Sequence, residues 1–305
     1  MKVKVYAKLN LTLNVGEKQG AFHPIDSVAT SVDVYDTVEV VSRADSQVNV
    51  YGVKGVEQQC NTAYKAAVAF KRAFLSNLAL GVDIFIQKGI PLGAGLGGSS
   101  ADAAAVVYCM CKLFNVDVNS REVHQLCSAI GSDVCFMLFG GLGRLQGKGD
   151  DVTFYKMTKP LYLALTTFDV SMSSGDIYSA FDKITACKSN DVCLLKADEL
   201  VKHTVENCSN DALLNLLQQG ATDKAIALFT NDLQQATLSV SNYAEHYLQF
   251  VKSNNLVCNM TGSGSAYYVA CSTRVETERL ANLLNTNGFS TTVCSSVPTG
   301  IVEIE

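Results

Sequence analysis

Nowhere in the 305 residues is there an apolar run of the ~20 positions that a bilayer-crossing helix needs, nor a block rich in Lys and Arg. The first absence predicts a chain without a membrane span. The second, with a net charge of −5, removes the basic footprint that holds nucleic acid or an anionic membrane, so neither is expected as a partner. Charge is sparse too, at 17% against 48% apolar residues, and it is scattered rather than blocked, which predicts a large interior and excludes extended disorder. The first residues after Met1 alternate and lack the apolar core and cleavage site of a secretory signal, so a cytoplasmic protein is expected. The 11 cysteines never fall as Cys-x-x-Cys, and several sit in apolar settings. Free buried thiols are therefore expected rather than disulfides or metal ligands. No internal repeat or low-complexity segment is found.

The length exceeds what one ordinary core serves and predicts two domains, residues 1–155 and 156–305. Odd positions from Val3 to Val15 are apolar, while Lys8, Asn10, Thr12 and Asn14 share the other parity. This spacing predicts one half-buried strand with a polar row that either faces solvent or is presented together to one ligand. Further strands are expected over 31–41, 48–53 and 82–87, with a helix over 62–76 capped by Asn61. Residues 101–114 read as a helix apolar nearly all round, and Asn119 with Glu122 as the cap of another. In the second half a strand over 161–168, helical periodicity over 211–253, a strand near Leu256, another over 266–271, a helix over 273–287 and a strand from Thr291 predict an α+β sandwich. His124, His203 and His246 have no ligand spacing and read as surface or packing residues.

Most informative is the segment Pro91, Leu92, Gly93, Ala94, Gly95, Leu96, Gly97, Gly98, Ser99, Ser100, placed between a strand and a helix. Four glycines within six residues let backbone amides approach an anion, and the following helix adds its partial positive end. The segment does not finish in the Gly-Lys-Ser/Thr of a P-loop. Phosphate binding is the predicted role.

The string from Pro91 to Ala104 resembles the phosphate-loop motif of the GHMP kinases. Four other stretches carry the same resemblance in order: Ala7-Lys8-Leu9-Asn10-Leu11, Phe22-His23 ahead of Val32 to Thr37, Gly131-Ser132-Asp133-Val134, and Thr261-Gly262-Ser263-Gly264. The resemblance implies an α+β, two-domain kinase, its first half like domain 2 of ribosomal protein S5 and its second a ferredoxin-like α/β sandwich. It implies ATP as phosphate donor, with Mg2+, and a small-molecule alcohol carrying a cytidine diphosphate, from non-mevalonate isoprenoid synthesis. The chain would act as a monomer or homodimer. Asp133 would accept or orient the substrate proton with Lys8 as its partner, and Asn10 would hydrogen-bond the substrate. Phe22 would stack on the pyrimidine, His23 would hydrogen-bond it, and Tyr178 would be a second stacking ring. Pro91, Gly93 to Ser100, Asn61 and Lys88 would serve ATP, with Ser100 a candidate Mg2+ ligand, and Gly262, Ser263 and Gly264 would line the site. Ser99 stands where relatives carry a third consecutive glycine. Two other readings are open: a GHMP kinase for mevalonate or homoserine, and a nucleotide-binding protein without catalysis.

Overall fold

The apolar alternation that opens the chain does form a strand, Lys2–Asn10, but it breaks at Leu11 and resumes as Thr12–Val15. Both pair antiparallel with a 19-residue strand, Ile25–Arg43, the spine of the molecule in this computed structural model. The structure describes residues 1–76, 79–188 and 209–304. Where Tyr6 and Ala7 meet the spine the register shifts, the kind of irregularity that re-aims the side chains beyond it, and Lys8 is the next residue. The expected solvated row is not solvated. Lys8, Asn10 and Thr12 are all buried: Lys8 runs to Asp133 within the first half, while the second half meets the other two, the Thr12 hydroxyl donating to Asn210 Oδ1 at 2.7 Å and the Asn10 backbone N–H to Thr261 Oγ1 at 3.0 Å.

The spine also carries Gly81–Gln87 and Leu142–Gly147, and the latter pairs with Asp151–Tyr155. The strand Leu142–Gly147 escapes the sequence pattern because Gly143, Arg144, Gln146 and Gly147 interrupt it. The helix Thr62–Phe74 starts where Asn61 Oδ1 accepts from the Ala63 amide. Beside it lies the alanine-rich helix Gly98–Leu113, buried from Ala101 to Val107 as its composition requires. Ser120, not Asn119, caps the helix Arg121–Ile130; the Asn119 amide is drawn instead to Asp117.

Second-half strands Tyr162–Thr167, Tyr267–Cys271 and Ser290–Val297 form an antiparallel sheet, with Asn259–Met260 at its edge in place of the strand expected near Leu256. The helical periodicity over 211–253 resolves into Asn210–Gln219, Thr222–Ile226, Gln234–Val240 and Glu245–Ser253, with the short strand Thr230–Asn231 between them. Thr273 caps Arg274–Thr286. Among the described residues three strand pairings join the halves: Ser296 and Val297 pair with Val32 and Ser31, the final strand Ile301–Glu303 returns to Lys2–Asn10, and Thr230–Asn231 runs parallel to Thr12–Val15.

Candidate active site

The glycine loop lies between Gly81–Gln87 and the helix Gly98–Leu113, and its carbonyls are held from behind. Gly93 O accepts from the Met172 amide, Ala94 O from Ala266 and Leu96 O from Lys8, at 3.3, 3.1 and 3.0 Å. A trans peptide points each following N–H the other way, so the amides of Ala94, Gly95 and Gly97 turn from this wall. Ala94 and Leu96 send their side chains into the core. Gly97 begins the helix with φ +71° and no side-chain cap, which leaves the first-turn amides of Gly98, Ser99 and Ser100 open to an anion. Ser99 is tied differently, its carbonyl accepting from the Thr62 hydroxyl at 2.8 Å.

Lys8 Nζ donates to Asp133 Oδ1 at 2.7 Å across 125 residues of sequence. The lysine side chain is 8% exposed and the carboxylate 28%, so the pair sits at a buried wall with the acid facing outward. Asp133 precedes the helix Val134–Phe139 without capping it, since its carboxylate is turned to Lys8. A Cβ on Gly97 would stand 3.7 Å from Lys8 Cβ and 3.8 Å from Asp133 Oδ2, so the loop and the pair share one neighbourhood.

On the other side of the pair opens a cavity of about 520 Å3. Its walls include Lys8, Asn10, Phe22, His23, Asp133, Tyr178, Gly262 and Ser263, gathered from both halves of the chain. Asn10 spends its amide nitrogen on Ser27 Oγ at 2.7 Å, while its Oδ1 is buried with no partner among the described residues. His23 Nδ1 donates to Gly16 O at 2.9 Å, and Tyr178 stacks on the imidazole, ring centroids 5.6 Å apart. Burial, then the charge of Asp133, pushes the Tyr178 phenol up to about 12. Gly264 lies apart from this cavity, against Gly95. His124 and His246 pack on Phe139 and Phe289, and His203 lies outside the described residues.

Asn61 and Lys88 have other engagements. Asn61 caps its helix, and Lys88 Nζ binds Asp36 and, at 2.8 Å, Asp102. Asp36 in turn accepts from the amides of Gly89 and Ile90, which fixes the backbone just ahead of the loop. Burial first, and Asp36 beside it, outweigh Lys88 and raise the Asp102 carboxyl to about 7. The folded state thus holds this proton more tightly than the unfolded chain, where the group titrates near 3.8. Its contribution to stability is fullest below that value and is lost as pH rises toward about 7. Between about pH 5 and about pH 7.5, wild type should lose on the order of 2 kcal/mol more than Asp102→Asn in urea unfolding; parallel curves would deny the linkage.

Sequence reading missed Lys18, Lys148 and Asp182, all on the cavity wall. Lys148 stands on the turn between Gly147 and Gly149 with its ammonium 4.8 Å from the Phe22 ring centroid. Asp182 lies four residues after Tyr178 on the helix Ser174–Lys188, a spacing that places both on one face and was the available signal.

Residues 61–141 match the model of the GHMP kinases N terminal domain. A Clostridium tetani protein named 4-diphosphocytidyl-2-C-methyl-D-erythritol kinase is 32% identical over 271 residues, covering 88% of this chain and 90% of that one. The chain belongs to the GHMP kinases. Another relative of the same name, from Clostridium botulinum, is 33% identical over 233 residues, 72% of this chain and 77% of its own. The fold of this GHMP kinase is also that of a crystal structure of 4-(cytidine 5'-diphospho)-2C-methyl-D-erythritol kinase, with a TM-score of 0.73 and 22% identity over 97% of this chain and 98% of that one. A homoserine kinase from Cytophaga hutchinsonii gives 0.71 at 15% identity over 100% and 97%. As a GHMP kinase the chain is a small-molecule kinase, with the two-domain α+β architecture of that family and ATP as its phosphate donor. Among the described residues no helix is long and apolar enough to cross a membrane.

Proposed function

We propose that this kinase transfers the γ-phosphoryl group of ATP to the 2-hydroxyl of 4-diphosphocytidyl-2-C-methyl-D-erythritol, in the cytoplasm. The observation that carries the reading is the Lys8–Asp133 pair at 2.7 Å, set between an anion-binding glycine loop and a cavity with an aromatic and imidazole end. The loop belongs to the first half, 1–155, and the turn at Gly262 and Ser263 closes the site from the second, 156–305.

The loop amides and the start of the helix Gly98–Leu113 hold the ATP phosphates. Asp133 takes the proton of the substrate hydroxyl as its oxygen bonds to the γ-phosphorus and the bond to the ADP oxygen breaks. Lys8 orients Asp133 through their 2.7 Å contact and offsets charge on the phosphoryl oxygens in flight. Asn10 offers its Oδ1, unpartnered among the described residues, to a substrate hydroxyl. Phe22 and His23 receive the cytidine, and Lys148, with no carboxylate paired to it among the described residues, is placed for the diphosphate.

Mg2+ binds oxygen, keeps several waters and relies on substrate phosphates with one or two protein groups. The residues fit that demand. Asp133 Oδ2 is 3.8 Å from the position of a Gly97 Cβ, and the Ser100 hydroxyl 4.0 Å from that of a Gly131 Cβ, so two oxygen donors border the loop. Among the described residues no cluster of three His, Cys, Asp or Glu competes with them for a cation. The ion would neutralise phosphate charge there.

Purified protein given ATP and Mg2+ should release ADP with the cytidyl compound and far less with mevalonate or homoserine. Turnover of either of those alcohols, with indifference to the cytidyl compound, would remove this substrate.

A further inference from the structure

Nothing so far accounts for Asp182. Its Oδ2 receives Lys18 Nζ at 2.5 Å, and its Oδ1 stands 2.7 Å from His23 Nε2. The second approach is close but off line, and among the described residues Nε2 has no hydrogen-bond partner. The His23 side chain is only 7% exposed, and three neighbours fix its ring: Gly16 O on Nδ1, the Tyr178 face, and the edge contact with Phe181. The ring therefore cannot turn to satisfy Nε2, and a buried nitrogen is left beside a carboxylate oxygen of a cavity-wall residue. Lys18, foremost, and His23 hold the Asp182 carboxyl below its ordinary value, so at neutral pH it only accepts.

A ligand edge that fits here must bring N–H groups to Asp182 Oδ1. An exocyclic amino group does so; a ring carbonyl at the same place would set oxygen against oxygen. Carboxylates recognise the 4-amino group of cytosine in this way, and a site built for a donor rejects the analogue that lacks it.

We propose that Asp182, held by Lys18 and set beside His23, reads the 4-amino group of the substrate's pyrimidine and so selects cytidine over uridine. The inference rests on the cytidyl substrate proposed above and adds the group that decides the base. Asp182 is a specificity residue, separate from the Lys8–Asp133 chemistry. Its position four residues after Tyr178 on one helix couples the stacking ring and the acceptor, so both move with that helix.

The test is the ratio of kcat/KM for the cytidine and uridine diphosphate forms of methylerythritol, with ATP and Mg2+, in wild type and in Asp182→Asn. Wild type should favour the cytidine form by about 100-fold or more. In Asp182→Asn the amide can present either oxygen or nitrogen, so the ratio should fall at least about tenfold, with the uridine form gaining in absolute terms. A purely structural role would lower both substrates together and leave the ratio alone. That result overturns the inference, whereas wild-type inactivity on both compounds overturns the substrate reading instead. Should Asp182→Asn fail to fold, Asp182→Ser gives the same readout, because it also removes the fixed acceptor.

Discussion

Asp133→Asn should bind ATP nearly as wild type does and lose turnover by about 1000-fold. The asparagine keeps the shape of the side chain but cannot accept the hydroxyl proton, while the loop amides proposed to hold the phosphates are untouched. It also strands Lys8, whose ammonium has lost the carboxylate 2.7 Å away and whose side chain is 8% exposed. An uncompensated buried charge of this kind costs about 3–5 kcal/mol, less here because one partner faces the cavity and water. Stability should therefore fall together with activity, and adding Lys8→Met should restore the first without the second. Single-turnover ADP release, binding of a non-hydrolysable ATP analogue and urea unfolding separate the three effects. Turnover within about tenfold of wild type would take Asp133 out of the reaction.

Gly95→Ala should cost the most among substitutions of the loop. Gly95 has φ +75°, and an added Cβ would meet the backbone oxygens of Thr261 and Gly264, the latter at 2.9 Å. Left-handed backbone costs alanine about 1–2 kcal/mol. The clash adds more, because backbone atoms of a turn cannot rotate aside as a side chain can. Relief requires the loop and the turn around Gly262 to separate, which misplaces amides meant for phosphate. ATP affinity should drop at least about tenfold, with a lower melting temperature. Gly97→Ala provides the contrast. It is equally strained in φ, yet its Cβ would meet Met137 Cε, the free end of a flexible side chain, so its loss should be the smaller. Equal losses would show that contact between the loop and the second half is immaterial.

Local rules made much of this molecule legible. The glycine loop was readable because its signal is contiguous: a strand, four glycines and an apolar helix. Asn61 and Thr273 were readable as helix starts because capping is settled within three residues. Lys88 was different. The sequence shows a cation beside a nucleotide loop, and the fold gives it to Asp36 and Asp102, which lie 52 and 14 residues away and converge only when strand, loop and helix pack.

By itself, then, the sequence determined the glycine loop between a strand and a helix, the alternation that makes the first strand, the composition of a large interior, and the family resemblance that singled out Lys8 and Asp133. Only the tertiary structure decided that Lys8, Asn10 and Thr12 are buried, because parity tells which residues share a face and never what stands opposite it. It alone brought Lys18 and Asp182 to the end of the cavity where the resemblance expected His23 and Tyr178. Their meeting depends on a helix packing against a loop more than 150 residues away, and no local pattern specifies that contact.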